Sequence, residues 1–142
     1  MKKIKILVSY DDNKIRDRIL NTINKLNYVE IINVTNDKKE TYDTIINSNP
    51  EFVFSKYTFD EETNLFDIIK KVKINSNNNL PIFNIISSDI KISDVKEITQ
   101  EIGNNLNSVI QEEELLEFRL KTLLNEYRNF KKHDNICELN HL

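Results

Sequence analysis

The stretch from residue 50 to residue 64, PEFVFSKYTFDEETN, contains the run that decides the fold. Phe52, Val53 and Phe54 are consecutive apolar residues, and such a run predicts a short strand that is buried on both faces. Strands of this kind belong to parallel sheets that carry helices on both sides. Lys56 follows the strand at its C-terminal end, where parallel-sheet proteins usually carry their functional residues.

The composition indicates one soluble domain with a reducing, cytoplasmic location. The chain has 142 residues, of which 39% are apolar and 30% charged, with a net charge of −3. Lys and Arg are scattered, which argues against nucleic acid or an anionic membrane as the main partner. The lone Cys137 excludes an internal disulfide, and the lone Gly103 excludes glycine-rich nucleotide-binding loops. The sequence contains no apolar stretch long enough to span a membrane.

Apolar periodicity predicts five strands that alternate with five helices. The predicted strands cover residues 3–10, 29–35, 51–56, 80–87 and 107–111. The predicted helices cover residues 11–27, 38–49, 63–73, 93–102 and 112–130. Asp11 or Asp12 caps the first helix, while Ser93 and Gly103 begin and end the fourth.

This alternation predicts an α/β fold, a flavodoxin-like three-layer sandwich with a doubly wound parallel sheet of strand order 2-1-3-4-5. We assign residues 1–130 to this domain and residues 131–142 to a C-terminal tail or linker remnant. The functional crevice of such a sheet lies beyond the C-terminal ends of strands 1 and 3. The residues that fall there are Tyr10, Asp11, Asp12 and Lys56.

Four segments resemble the receiver domains of bacterial two-component response regulators. They are KILVSYDDNKIRDRI, NPEFVFSK, NLFDIIKKVK and LPIFNIISS, and the resemblance runs from about Lys3 to Phe130. The resemblance implies phosphoryl transfer. In that family, an aspartate at the end of strand 3 accepts a phosphoryl group from a histidine kinase. Two acids after strand 1 then hold Mg²⁺, a Ser or Thr ends strand 4, and a Lys-Pro pair ends strand 5.

The resemblance places Lys56 at the phosphoacceptor position of this chain. Tyr10 replaces the first metal-binding acid, Asp11 retains the second, and Asp12 is an accessory acid. One acid beside a lysine is a poor ligand set for Mg²⁺, so we expect metal binding at Asp11 and Asp12 to be weak or absent. The pattern indicates a degenerate receiver, or pseudo-receiver, which has no catalytic residues and is not an enzyme.

The remaining family positions also depart from the pattern. Ile86 falls where the hydroxyl of strand 4 belongs, although Ser87 is adjacent and a one-residue register slip would restore it. The Lys-Pro pair is missing, because no proline follows Pro81.

Two groups of residues outside the crevice each have two interpretations. Asp60, Glu61 and Glu62 are either a displaced phosphoacceptor or an ordinary solvated loop. His133, Cys137 and His141 recur at every fourth residue, which suits Zn²⁺ on a helix face, but three ligands fall one short of a closed structural site. A tail without metal is the alternative.

We therefore expect a phosphorylation-independent module that binds a protein partner, or a second copy of itself, through helix 4, strand 5 and helix 5. These elements correspond to residues 94–102, 108–111 and 113–127. The competing functions are a phosphoryl-accepting receiver that uses an unexpected acid, and the regulatory domain of a longer transcription factor. For Lys56 we predict an internal ion pair, with its ammonium near Asp11 alone or near both Asp11 and Asp12.

Overall fold

The computed structural model describes residues 2–77, 79–115 and 117–140, and it describes side chains up to residue 132. No described helix combines the length and the apolar character that crossing a membrane requires.

Five strands form one parallel sheet. They are β1 (Ile4–Ser9), β2 (Val29–Thr35), β3 (Phe52–Ser55), β4 (Ile82–Ile86) and β5 (Leu106–Ile110). Their order in the sheet is β2-β1-β3-β4-β5, and every pairing of neighbours is parallel. The predicted fold class and strand order are confirmed.

Five α-helices alternate with the strands. They are α1 (Asn13–Asn24), α2 (Lys38–Ser48), α3 (Leu65–Asn75), α4 (Ile92–Ile102) and α5 (Glu117–Asn140). Polar residues cap the first three helices: the side chains of Asp12, Asp37 and Asn64 each accept a backbone N–H from the first turn of the helix that follows. The helices therefore begin where the sequence supplies a short polar acceptor.

Alternating strand residues build one core on each face of the sheet. Phe52 and Phe54 pack on one face with residues of α1 and α5, and the Phe52 ring lies 5.1 Å from the ring of Tyr127. Val53 belongs to the other face, with residues of α2, α3 and α4. All three β3 side chains are fully buried. β3 is therefore a central strand of the sheet, because its side chains fill the cores on both faces.

Each edge strand contains a bulge. The register between β1 and β2 shifts by one residue at Ile32, and the register between β4 and β5 shifts by one residue at Asn107. A bulge interrupts the regular row of backbone donors and acceptors that an edge strand presents. Both open edges of the sheet are thereby made less suitable for pairing with another strand.

The last helix differs from its prediction at both ends. It begins at Glu117 rather than residue 112, because Glu112–Glu114 form a short 3-10 turn and Leu115 is buried in the core. It continues past residue 130 to Asn140. Tyr127 and Lys131 both donate to the Glu51 carboxylate, so the helix is anchored to the sheet beyond the proposed boundary. The division into residues 1–130 and 131–142 stays a prediction.

The start of α4 also differs from its prediction. Ser93 lies inside the first turn, and the helix begins one residue earlier, at Ile92. The Asp94 carboxylate accepts the backbone N–H of Lys91 at 3.0 Å, which holds the first turn from within. Gly103 ends the helix, as predicted, with a positive φ of 57°.

Candidate functional site

A cavity of about 150 Å³ lies at the C-terminal ends of β1, β3 and β4. The structure brings all the predicted pocket residues to its wall, namely Tyr10, Asp11, Asp12, Lys56, Ile86 and Ser87. Five further residues complete the lining: Tyr57, Thr58, Ser88, Asp89 and Glu112. The carboxyl ends of adjacent parallel strands meet at one edge, which explains why residues so distant in sequence converge.

The Lys56 ammonium is buried and paired with one acid. Its Nζ lies 3.1 Å from Oδ2 of Asp11, and the side chains of the two residues are 8% and 61% exposed. The predicted contact between Lys56 and Asp11 is therefore present. Water screens the charge of the Asp11 carboxylate, which is largely exposed, but it has little access to the buried Lys56 ammonium.

Two further groups surround the same ammonium. Lys56 donates to the backbone carbonyl of Asn36, which follows β2, at 2.5 Å. The ammonium also lies 4.8 Å from the centre of the Phe59 ring, within the range of a cation–π interaction. One side chain therefore joins the loop after β1, the loop after β2 and the loop after β3.

Asp12 has a different role from Asp11. Its carboxylate accepts the backbone N–H of Ile15 at 3.0 Å and caps helix α1. Of the two predicted arrangements of the ion pair, the structure has the one in which Lys56 contacts Asp11, while Asp12 serves the helix.

Tyr10 connects the end of β1 to the segment after β5. The residue is buried, and its hydroxyl donates to the Glu112 carboxylate. Burial, reinforced by that carboxylate, raises the pKa of the Tyr10 hydroxyl well above its usual range. Tyr10 is therefore a neutral donor to a residue of the 3-10 turn that precedes the final helix.

The Ser87 hydroxyl, at the end of β4, forms hydrogen bonds within the loop that follows the strand. Ile86 is fully buried, and Ser87 follows it in the cavity wall. The Ser87 hydroxyl donates to Asp89 Oδ1 at 2.5 Å and accepts the backbone N–H groups of Asp89 and Ile90 at 3.2 Å. Thr58 donates to the other Asp89 oxygen at 3.1 Å.

Four carboxylates line the cavity, and each accepts a hydrogen bond or an ion pair from the chain itself. Asp11 pairs with Lys56, and Glu112 accepts from Tyr10. Asp12 accepts from the start of α1, and Asp89 accepts from two hydroxyls. Repulsion among these acids is thus reduced by donors that are part of the fold.

The acids of the loop after β3 lie outside the cavity wall. Asp60 pairs with Lys38 at 2.9 Å and accepts the backbone N–H groups of Glu62 and Thr63. These interactions, led by the hydrogen bond from Lys38, lower the pKa of Asp60 to about 2. Asp60 therefore shapes the loop and ties it to the start of α2.

The predicted ligands of the tail, His133, Cys137 and His141, lie outside the described side chains. Within the described part of the chain, no group of three or more His, Cys, Asp or Glu residues is arranged to hold a metal ion.

Six parts of the pocket were not predicted from the sequence: the Asn36 carbonyl, Tyr57, Thr58, Ser88, Asp89 and Glu112. Asp89 follows a predicted strand closely, and extending the crevice rule to strand 4 would have found it. Glu112 was hidden because the acidic run at 112–114 was assigned to the final helix. A backbone carbonyl such as that of Asn36 leaves no sequence signal.

Three solved structures with the same fold are similar over nearly their whole length. The response regulator domain of CheB from Thermotoga maritima is 17% identical, with 90% of this chain and 96% of that chain covered and a TM-score of 0.68. The receiver domain of AraT, a response regulator from Geobacillus stearothermophilus, is 13% identical, with 92% and 97% covered and a TM-score of 0.70. The N-terminal domain of an uncharacterised Wolinella succinogenes protein is 18% identical, with 93% and 98% covered and a TM-score of 0.72.

No protein-family model and no curated protein matches the sequence. Identities of this size establish a shared fold and nothing finer. The chain therefore has the flavodoxin-like receiver fold of response regulators.

Replacing Lys56 by Met tests the buried cation. The variant keeps the aliphatic stem and loses the contacts to Asp11, to the Asn36 carbonyl and to the Phe59 ring. We expect the free energy of unfolding to fall by about 1–2 kcal/mol, because a charge-assisted hydrogen bond at a buried site is lost. Urea denaturation measures this free energy. Lys25→Met, which breaks a pair with Glu117 whose lysine is 62% exposed, should change stability by less than about 1 kcal/mol. Equal midpoints for the parent and Lys56→Met would contradict the assignment.

We expect the ionised Asp60 carboxylate to raise the free energy of unfolding at neutral pH and to lose this effect at strongly acidic pH. Its pKa is about 2 in the folded protein against an ordinary 3.8, so folding favours the ionised form. The contribution is complete above the ordinary pKa and is lost as the pH falls through the folded pKa. The urea midpoint of Asp60→Asn should therefore lie below that of the parent at pH 6, and the gap should narrow as the pH falls below about 4. Lys38→Met should show the same trend, and a gap that does not change with pH would refute the pairing.

Proposed function

We propose that this chain is a pseudo-receiver, a signalling module that recognises a protein partner and transfers no phosphoryl group. The observation that carries the proposal is the buried Lys56 ammonium at the end of β3, in contact with Asp11. Phosphoryl acceptance at this position requires a carboxylate nucleophile. An ammonium ion has no lone pair with which to attack phosphorus, and its protons are directed to Asp11 and to the Asn36 carbonyl.

The donor set of the cavity supports weak or absent Mg²⁺ binding. Mg²⁺ prefers octahedral oxygen coordination, in which one or two carboxylates usually take part. Asp11, the acid retained at the metal-binding position, faces an ammonium, and Tyr10 presents a neutral phenol that donates to Glu112. A divalent cation would have to displace Lys56 and place two positive charges beside it. These residues do not fit the ion that the receiver resemblance implies.

The competing function is a receiver that accepts phosphate on another acid. Asp60 is the nearest candidate in sequence, but its carboxylate is engaged by Lys38 and by two backbone N–H groups. It does not line the cavity, and its pKa is held at about 2 by these donors. A loop-forming role accounts for all of its contacts. The third possibility, a regulatory domain within a longer transcription factor, is compatible with the proposed function.

The partner surface that we propose is formed by α4, β5 and the first turns of α5. Ile92, at the start of α4, and Phe118, in the first turn of α5, are both 78% exposed. Contact with a protein would remove these apolar side chains from water, and apolar burial of this kind favours a protein partner over nucleic acid. Acids predominate between β5 and α5, which also disfavours nucleic acid and anionic lipid at this face. We place the module in the cytoplasm on the basis of its composition.

Incubation with a small-molecule phosphodonor and Mg²⁺ tests the proposed function. We expect no gain of one phosphoryl group in intact mass, and no rise in melting temperature with millimolar Mg²⁺, since a cation that does not bind the native state cannot stabilise it. Lys56→Asp provides the positive control because it restores an acid beside Asp11. Its melting temperature should fall without metal and rise with Mg²⁺.

A phosphoryl gain in the parent that disappears on replacing Asp11, Asp12 or Asp60 by Asn would refute the pseudo-receiver assignment. A rise in the parent's melting temperature equal to that of Lys56→Asp would refute the argument about Mg²⁺.

The partner surface can be tested with exposed apolar residues. Ile92→Ser and Phe118→Ser should leave the melting temperature nearly unchanged, because the side chains are already in water. The two substitutions should weaken either self-association or partner binding. Sedimentation velocity over a range of concentrations measures the first, and recovery of a partner on the immobilised protein measures the second. Ile74→Ser is the matched control, since Ile74 is equally exposed but lies on α3. An equal loss with Ile74→Ser, or a parent that stays monomeric and recovers no partner, would rule out this surface.

A further inference from the structure

A second cavity, of about 560 Å³, lies beside α5 at the N-terminal ends of β4 and β5. It is therefore at the opposite end of the sheet from Lys56. Its apolar wall consists of Ile82, Leu106, Tyr127 and Phe130, and its polar part consists of three asparagines and Glu126. This volume is within the range that small organic ligands occupy, and a few placed polar groups normally decide which ligand binds.

A buried asparagine in β4 prepares the polar part of this cavity. Asn84 is fully buried, and its amide nitrogen donates to the Val53 carbonyl at 3.2 Å, so its amide oxygen is directed away from β3. That oxygen accepts the side-chain N–H of Asn107 at 2.9 Å and the Ser108 hydroxyl at 2.8 Å. A buried amide without partners would cost free energy, and here its hydrogen bonds fix two side chains of β5.

The bulge in β5 brings Asn107 to the cavity. Phe83 pairs with Leu106 and Asn84 pairs with Ser108, which leaves Asn107 as the extra residue. A bulge redirects a side chain, and bulges are common next to active sites. Because the amide nitrogen of Asn107 is bound to Asn84, its amide oxygen is the atom that remains for a ligand.

Asn105 is oriented in the same way. Its amide nitrogen donates to the backbone carbonyls of Leu80 and Pro81, each at 3.2 Å. A carbonyl oxygen only accepts hydrogen bonds, so the nitrogen has to face these carbonyls and the amide oxygen is left over. Within the described part of the chain, no group donates to the amide oxygen of Asn105 or of Asn107.

Glu126, on α5, adds a carboxylate to these two amide oxygens. It is exposed, and it is the one charged residue among the described residues that line the cavity. The cavity thus combines hydrogen-bond acceptors with an apolar wall that includes two aromatic rings. Acceptors of this kind suit a ligand that donates hydrogen bonds, and a carboxylate and aromatic faces both attract a positive charge.

We propose that this cavity binds a small organic cation, in which a guanidinium, amidinium or ammonium group is carried on an apolar body. The cationic group donates to the Glu126 carboxylate and to the amide oxygens of Asn105 and Asn107. The apolar body lies against Tyr127 and Phe130. The site goes beyond the proposed function and is independent of it, because no residue of the Lys56 pocket takes part.

Titration of the full chain with benzamidine and with agmatine, followed by calorimetry and NMR, tests the site. We expect saturable binding of one molecule per chain for at least one of them. The largest chemical-shift changes should occur at the side-chain amides of Asn105 and Asn107 and at the rings of Tyr127 and Phe130. Benzamide, which has nearly the shape of benzamidine without its charge, should bind at least about tenfold more weakly than benzamidine.

Glu126→Gln should weaken binding of the cation about tenfold, because it removes a charge-assisted hydrogen bond. Glu30→Gln is the matched control and should leave the affinity unchanged, since Glu30 is equally exposed but lies on β2, the other edge strand. Phe130→Ser should weaken binding severalfold and leave the melting temperature nearly unchanged, because Phe130 is already 61% exposed.

The absence of saturable binding of both probes at millimolar concentrations would overturn the proposal, and so would equal affinity for benzamide and benzamidine. An equal loss in Glu126→Gln and Glu30→Gln would show a general attraction to acidic residues and would overturn it as well. Shifts centred on Tyr10, Asp11 and Lys56 would place the cation at the other end of the sheet and refute this site. None of these outcomes bears on phosphoryl transfer, which the intact-mass measurement tests separately.

Discussion

The arrangement of the pocket depends on one buried cation. Lys56 is 8% exposed, and a charge with so little water around it has to be compensated by the protein. Asp11, the Asn36 carbonyl and the Phe59 ring supply that compensation from the loops after β1, β2 and β3. Each loop is consequently held in the conformation that brings its group to the ammonium.

A lysine differs from a bound divalent ion in one physical respect that matters for signalling. An ion binds at a concentration-dependent occupancy, whereas a side chain is always present at its site. Asp11 therefore has a positively charged partner that belongs to the chain itself. Under the proposed function, this pocket is not switched by metal or by phosphate, and a change in its state comes from a contact that competes for Asp11 or for Lys56.

The sequence predicted the sheet well because its signals are local. The run Phe52–Phe54 fills both cores, and β2 occupies the predicted residues 29–35. The errors arise where distant contacts override local preference. The acidic run at 112–114 favours a helix start, but Glu112 binds Tyr10 across the cavity and the helix begins later. The Lys56–Asp11 pair was predictable because both positions follow adjacent parallel strands. The contact with the Asn36 carbonyl was not, since it depends on the path of a loop.

Tyr10 explains why one lysine is enough to balance the acids at the end of β1. An acid at position 10 would compete with Asp11 for a single ammonium and leave one carboxylate without a donor in a partly buried site. A tyrosine removes that negative charge and adds a donor, which Glu112 accepts. The two side chains thus balance the acids of the pocket: Lys56 neutralises Asp11, and Tyr10 satisfies Glu112. An acid introduced at position 56 would place a second carboxylate beside Asp11, which is enough for Mg²⁺, while position 10 would still contribute a neutral phenol.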